Sequence, residues 1–183
     1  EVAGTSDQVD VAVNVVEKPT GNLQLGAGFS SAEKLSFNFG IKQENVFGSG
    51  NYLGVEVNTS KVNRQLVLST VDPYFTADGI SRAFDLYHRT SRPLDGQGGD
   101  YGLKTTGGSV RFGVPFTEID TVFFGIGYER LSIKPGINPL PVTYQKYTDL
   151  FGLTSSSVPL TVGWSRDSRD SALVPTQGRF QRV

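Results

Sequence analysis

Apolar residues occupy every second position through segment after segment of this chain. Between Lys34 and Lys42, Leu35, Phe37, Phe39 and Ile41 alternate with Ser36, Asn38 and Gly40; the pattern returns at Val158, Leu160, Val162 and Trp164. A period of two belongs to a β-strand, whose successive side chains point to opposite faces. The pattern predicts eight strands, near 22–30, 34–43, 51–60, 64–72, 81–89, 105–115, 121–132 and 156–166, and the start of a ninth at 179–183. Segments of about nine to twelve residues are long enough to cross a bilayer as tilted strands.

Charge is sorted between the two faces. Leu53, Val55 and Val57 lie on one parity, with Gly54, Glu56 and Asn58 on the other. Val110, Phe112 and Val114 oppose Ser109, Arg111 and Gly113, and Glu129 falls on the polar parity of its strand. A lysine or arginine facing lipid at mid-bilayer costs roughly 2–4 kcal/mol, so a membrane barrel must turn charge toward its lumen. A soluble β-sandwich alternates in a similar way, with protein in place of lipid against the oily face.

The connections alternate in length. Asn45–Gly50, Pro73–Ile80 and Phe116–Asp120 are compact, whereas Thr90–Lys104 and Ile133–Ser155 are long. Bacterial outer-membrane barrels have short periplasmic turns and longer outside loops. The compact set is therefore expected at the periplasmic rim, where Phe47, Tyr52, Tyr74, Phe75 and Phe116 would form an aromatic belt at headgroup level. The link between the first two strands is short, against the trend.

Composition fits this picture. Of 183 residues only 37% are hydrophobic, as expected where half of each strand faces water. No run approaches 18 consecutive apolar residues, which excludes a transmembrane helix and leaves a closed barrel as the one way to span a membrane. The net charge of −1 and the lack of a basic stripe give no sign of nucleic-acid binding. Cysteine is absent, which excludes a disulfide scaffold and a thiolate metal site. Methionine is absent too, and no signal peptide is seen, so a mature chain or a fragment is expected. Residues 1–20 stand apart: Val9, Val11, Val13 and Val15 read as a soluble strand ending at Pro19, the last piece of a periplasmic domain.

Candidate chemistry is sparse. His88 is the sole histidine, with Ser81, Asp85 and Ser91 nearby in sequence. Nothing in that spacing specifies a nucleophile and base within reach, so no catalytic residue is assigned. Asp167, Arg169 and Asp170 lack the spacing of a calcium loop and read as a salt-bridged turn rather than a metal site. The pairs Gly26/Gly28, Gly107/Gly108 and Gly125/Gly127 open no helix, so they are not phosphate loops. No cofactor is expected. In the first strand, glycines leave few side chains to fix register, and labile pairing is expected.

The turns are the most specific part of the sequence. They run in order: Asn45-Val46-Phe47-Gly48-Ser49-Gly50-Asn51, then Asp72-Pro73-Tyr74-Phe75-Thr76-Ala77-Asp78-Gly79, then Arg111-Phe112-Gly113-Val114-Pro115-Phe116-Thr117-Glu118, and finally Asp167-Ser168-Arg169-Asp170 with Pro175-Thr176-Gln177-Gly178. This series closely resembles the BamA family of outer-membrane β-barrel assembly factors. Val13–Gly21 resembles the exit from that family's last POTRA domain into its barrel. The resemblance covers nearly the whole chain.

It implies an all-β fold of antiparallel transmembrane β-barrel strands, the N-terminal half (21–183) of a larger, sixteen-stranded barrel. It implies a bacterial outer-membrane location and insertion of nascent outer-membrane β-barrel proteins, without enzymatic chemistry. Outer-membrane lipids, and accessory lipoproteins reached through upstream periplasmic domains, are the implied partners. Asn22, Leu23, Gln24, Leu25, Gly26, Ala27, Gly28 and Phe29 would form the lateral-gate strand. Asn45, Gly48, Gly50, Asp72, Pro73, Tyr74, Phe75, Asp78, Gly79, Asp167, Arg169, Asp170, Pro175 and Gly178 would carry the periplasmic turns. A passive pore or a related protein-translocating barrel is the alternative, with an open, curved sheet expected for this segment in either case.

Overall fold

A computed structural model describes residues 11, 13–16, 19–92 and 101–183. Among them, ten strands form one antiparallel sheet: β1 (Gly21–Ser30), β2 (Lys34–Gln43), β3 (Tyr52–Thr59), β4 (Asn63–Asp72), β5 (Ser81–Ser91), β6 (Tyr101–Pro115), β7 (Asp120–Pro135), β8 (Thr154–Ser157), β9 (Leu160–Asp167) and β10 (Phe180–Arg182). Neighbours in sequence are neighbours in space, from β1 at one edge to β10 at the other, and β8 pairs the outer part of β7. The sheet is open, a curved wall of antiparallel strands.

The register aligns the apolar rows. Leu23 faces Ile41 and Leu25 faces Phe39; Phe39 then faces Val57, Val57 faces Leu66, and Val110 faces Ile126. Directly opposed residues share a face, so these rows merge into one oily surface. Nothing covers it. Leu25 is 71% exposed, Val162 73% and Leu160 74%, and Ile133 is the one buried apolar residue among those described. A soluble sandwich would bury this face against a second layer; here no second layer is formed by the described residues. Nor is any described helix long and apolar enough to cross a membrane.

Several boundaries differ from the sequence reading. The eighth strand is interrupted: Ile126 faces Leu160 and Glu129 faces Ser157 in one continuous register, but Val158 and Pro159 belong to neither strand. Proline has no N–H for the ladder, although its carbonyl still accepts from Gly127 N at 2.9 Å. Strands β5, β6 and β7 run further toward the long-loop rim than the alternation indicated, because polar residues continue their ladders: Ser91 faces Leu103 and Tyr101 faces Pro135. The Ile133–Ser155 connection contains a helix, α1 (Val142–Phe151). It is tied to the sheet by the Tyr147–Ser155 hydroxyl contact and the Tyr101–Tyr144 ring pair, 5.1 Å between centroids. Half of the strand expected over 9–18 lies outside the described residues; Val11 and residues 13–16 carry no regular structure.

Candidate functional site: the free edge, the luminal face and the turn rim

Strand β1 presents the first feature. All ten of its residues pair with β2, from Gly21 opposite Gln43 to Ser30 opposite Lys34. Its other edge pairs with no described strand. Leu23, Leu25, Ala27 and Phe29 share the apolar face with Ile41, Phe39, Phe37 and Leu35. Asn22, Gln24, Gly26 and Gly28 share the polar face. There Gly26 lies against the Asn38 side chain, while the Ser36 hydroxyl donates to Gly28 O at 3.2 Å. Edge strands carry unpaired N–H and C=O groups and are templates for a further strand.

The opposite face of the sheet is polar and cross-linked. Lys42 and Glu56 pair at 3.2 Å. Asp85 receives the Ser69 hydroxyl at 2.8 Å and Arg111 Nη2 at 2.7 Å, and the Tyr87 hydroxyl donates to Glu129 at 2.7 Å. Glu56, Arg111 and Glu129 are thus gathered on the polar side, as the alternation required. His88 falls on the apolar parity, opposite Leu66 and Thr106, while Asp85 takes the polar one. The two side chains leave the sheet in opposite directions, which dissolves the constellation considered around His88.

The compact turns gather at one rim, between β2 and β3, β4 and β5, β6 and β7, and β9 and β10. In the first, Asn45 Oδ1 accepts Gly50 N at 2.6 Å, and Gly48 and Gly50 take positive φ. Phe47 projects fully into the surroundings. In the second, Asp72 caps Tyr74 N at 3.2 Å and pairs with Arg82 at 3.6 Å. The Arg82 guanidinium lies over the Phe75 ring, 3.9 Å from its centroid, and Phe75 packs on Phe112 at 6.2 Å. Pro73 is half-buried at the head of this turn; Tyr74 and Asp78 are exposed. Gly79 closes it at φ 81°.

The fourth turn is the most constrained. Asp167 and Arg169 form a two-pronged pair, Nε to Oδ1 and Nη2 to Oδ2, both 2.8 Å. Asp170 reaches across to accept from Thr176 N at 2.9 Å, Gln177 N at 3.0 Å and the Thr176 hydroxyl. These bonds, the hydroxyl foremost, hold its carboxyl down at about 2. Pro175 is exposed beside them. Gly178, at φ 87°, lies so close to the Ser168 carbonyl that a Cβ would collide with it.

One rim cluster went unread in the sequence. Buried Asp120 accepts from Trp164 Nε1 at 3.1 Å and from the Thr117 hydroxyl at 2.9 Å, with Arg166 3.7 Å away. Thr117 Oγ1 accepts in return from Asp120 N at 2.9 Å. A Thr-x-x-Asp spacing in a short turn is the signal for this reciprocal bonding; Trp164 and Arg166 come from a distant strand.

Comparison with known proteins gives this wall its family. The profile of the Omp85 superfamily domain matches residues 45–183. The chain belongs to the Omp85 superfamily. Its similarity to the outer membrane protein assembly factor BamA of Neisseria meningitidis serogroup B is 36% identity, over 100% of this chain and 24% of that protein. To BamA of Buchnera aphidicola it is 33% identical over 70% of this chain and 21% of that protein. The crystal structure of BamA from Haemophilus ducreyi lacking POTRA domains 1–3 superposes with a TM-score of 0.67 and 27% identity, over 91% of this chain and 33% of that one. The chain spans about a quarter of the length of these curated relatives. As an Omp85 domain it is a partial wall of a membrane β-barrel, one face apolar and the other ion-paired.

Proposed function

We propose that this chain forms the N-terminal half of an outer-membrane barrel that inserts other β-barrel proteins, with β1 as its templating edge. The carrying observation is the place of β1 at the end of the sheet: it is held by β2 along one edge, and its other edge pairs with no described strand. In hydrocarbon each unsatisfied backbone group costs several kcal/mol. An open edge therefore captures a strand that can satisfy it, and an incoming client strand pairs there by β-augmentation. Residues Asn22 to Phe29 act through their backbone, so clients of different sequence can be accepted. The names of the relatives, outer membrane protein assembly factor, support this reading.

In the proposed arrangement, the compact turns face the periplasm, where residues 1–20 end a POTRA domain and upstream domains recruit accessory lipoproteins. Client strands arrive from that side. No covalent chemistry and no nucleotide enter the cycle: transfer is driven by exchange of ladder hydrogen bonds and burial of the client's apolar face in lipid.

The test is a disulfide in the full polypeptide between Leu25→Cys and a cysteine on the strand that closes against β1. Oxidation should stop assembly of a client barrel in proteoliposomes, and reduction should restore it. Normal assembly by the oxidised protein rules out the gate.

A further inference from the structure

We infer that the rim opposite the compact turns carries a lipid site on its outward face: Arg92, Lys104 and Lys134 seat the phosphorylated headgroup of an anionic lipid, and the adjoining leucine groove takes an acyl chain. A cavity of about 360 Å³ at this rim is lined by Lys61, Arg64, Arg92, Lys104 and Lys134, together with His88, and by no described acid. The register puts Arg64, Lys104 and Lys134 on one side. Arg64 faces Thr90, Thr90 faces Lys104, and Lys134 faces Gly102, all on the parity of Leu66, Leu86 and Val110. Gly102 forms the floor: a Cβ there would sit 3.8 Å from both Arg92 Cγ and Lys134 Cβ. The two cationic stems thus flank a bare stretch of backbone.

None of the five cations is in an ion pair with a described carboxylate; the pairs that do form lie at the luminal face and the other rim. Glu33, in the neighbouring turn, accepts instead from the Asn63 amide at 3.4 Å. Unneutralised like charges this close repel, and an anion relieves that repulsion. Among the described residues this cationic set at the outward rim has no counter-charge, and a bound anion supplies one.

Immediately toward mid-membrane, a second groove of about 340 Å³ is lined by Leu66, Leu68, Leu86, His88 and Thr106. His88 borders both cavities, and its Nδ1 is held 2.7 Å from the Thr106 hydroxyl. A cationic cup directly above an apolar groove matches a molecule with an anionic head and a hydrocarbon tail. A free phosphate would use only the upper half, which separates the two sources of the same chemistry.

The site rests on the sheet standing in lipid, and not on the assembly role. The full polypeptide in a neutral detergent would be titrated with phosphatidic acid, phosphatidylcholine or inorganic phosphate, and adducts counted by native mass spectrometry. Phosphatidic acid should bind at least about tenfold more tightly than phosphatidylcholine, and R92Q/K104Q/K134Q should abolish that preference, given the attraction of clustered basic side chains to anionic lipid surfaces. Leu66→Ala with Leu86→Ala should weaken long-chain phosphatidic acid but not a short-chain form. Unchanged preference in the triple variant, or inorganic phosphate binding as tightly as the lipid, overturns the site. Client assembly measured on the same preparation keeps the two readings apart: lost assembly with lipid binding intact counts against the gate alone.

Discussion

Trp164 donates its indole N–H across the β7–β9 seam to the carboxylate of Asp120, 3.1 Å away, a residue only 6% exposed. Asp120 fastens the β6–β7 turn, through Thr117, to the strand that leads into the Asp167–Gly178 turn. Removing it leaves a half-buried indole donor and a hydroxyl without their acceptor. Asp120→Ala should therefore cost about 1–3 kcal/mol, and Trp164→Phe about 1 kcal/mol, since Thr117 and Arg166 still serve the carboxylate. Urea midpoints for the full polypeptide in lipid vesicles would check the order; equal losses from the two variants would contradict it.

Gly178→Ala should be more disruptive than its size suggests. The backbone is left-handed there, and a Cβ would meet the Ser168 carbonyl carbon and oxygen as well as Arg169 Cα. Backbone cannot swing aside as a side chain does. A loss of more than about 1 kcal/mol is expected, with increased protease cleavage confined to 168–178. Unchanged cleavage would show that the turn accommodates the methyl group.

Acid should loosen the same turn. The Asp170 carboxyl sits at about 2 in the folded chain, below the roughly 3.9 of an unfolded aspartate. A lowered folded value means that its contribution is complete above about pH 4 and disappears as pH falls toward 2. Protection of the Thr176 and Gln177 amides, taken relative to the intrinsic exchange rate at each pH, should fall across that window in the native chain. In Asp170→Asn, protection should be low and flat with pH; a pH step persisting in that variant would move its origin elsewhere.

On the luminal face, Arg111 and Asp85 are coupled at 2.7 Å, with side chains 47% and 22% exposed. Water screens such a pair, so a double-mutant cycle with Arg111→Gln and Asp85→Asn should return only about 0.5–1 kcal/mol. A coupling above about 2 kcal/mol would mean the lumen is drier than this geometry implies.

Hydrogen exchange should be graded across the sheet. The β6–β7 ladder pairs fifteen residues from Tyr101 to Pro115, whereas β1 pairs ten with β2 and none with any other described strand. Amides of β1 should exchange at least about tenfold faster than those of β7, because edge strands open by local fraying. Equal protection would remove the physical basis for an opening edge.

The alternation of Leu35, Phe37, Phe39 and Ile41 with polar neighbours was enough to give the strand, its faces and, by repetition, a meander. The turn motifs gave the family. Boundaries at the long-loop rim were harder to read: Ser91, Thr105 and Lys104 are polar on both parities, so periodicity fades while the backbone ladder continues. Helix α1 was missed because Val142–Phe151 has little amphipathic contrast and is anchored by single tyrosines rather than by an apolar stripe.

What the sequence determined by itself is which residues share a face, since period two is a property of the local backbone and needs no knowledge of neighbours. Tertiary structure decided which residues meet across strands. Trp164 reaches Asp120 over 44 positions, and Arg64, Lys104 and Lys134 converge from three strands with Arg92 just beyond the end of a fourth. Such encounters depend on the register of every intervening hairpin. A shift of one residue in any of them would send these side chains to the other face, and no local pattern carries that information.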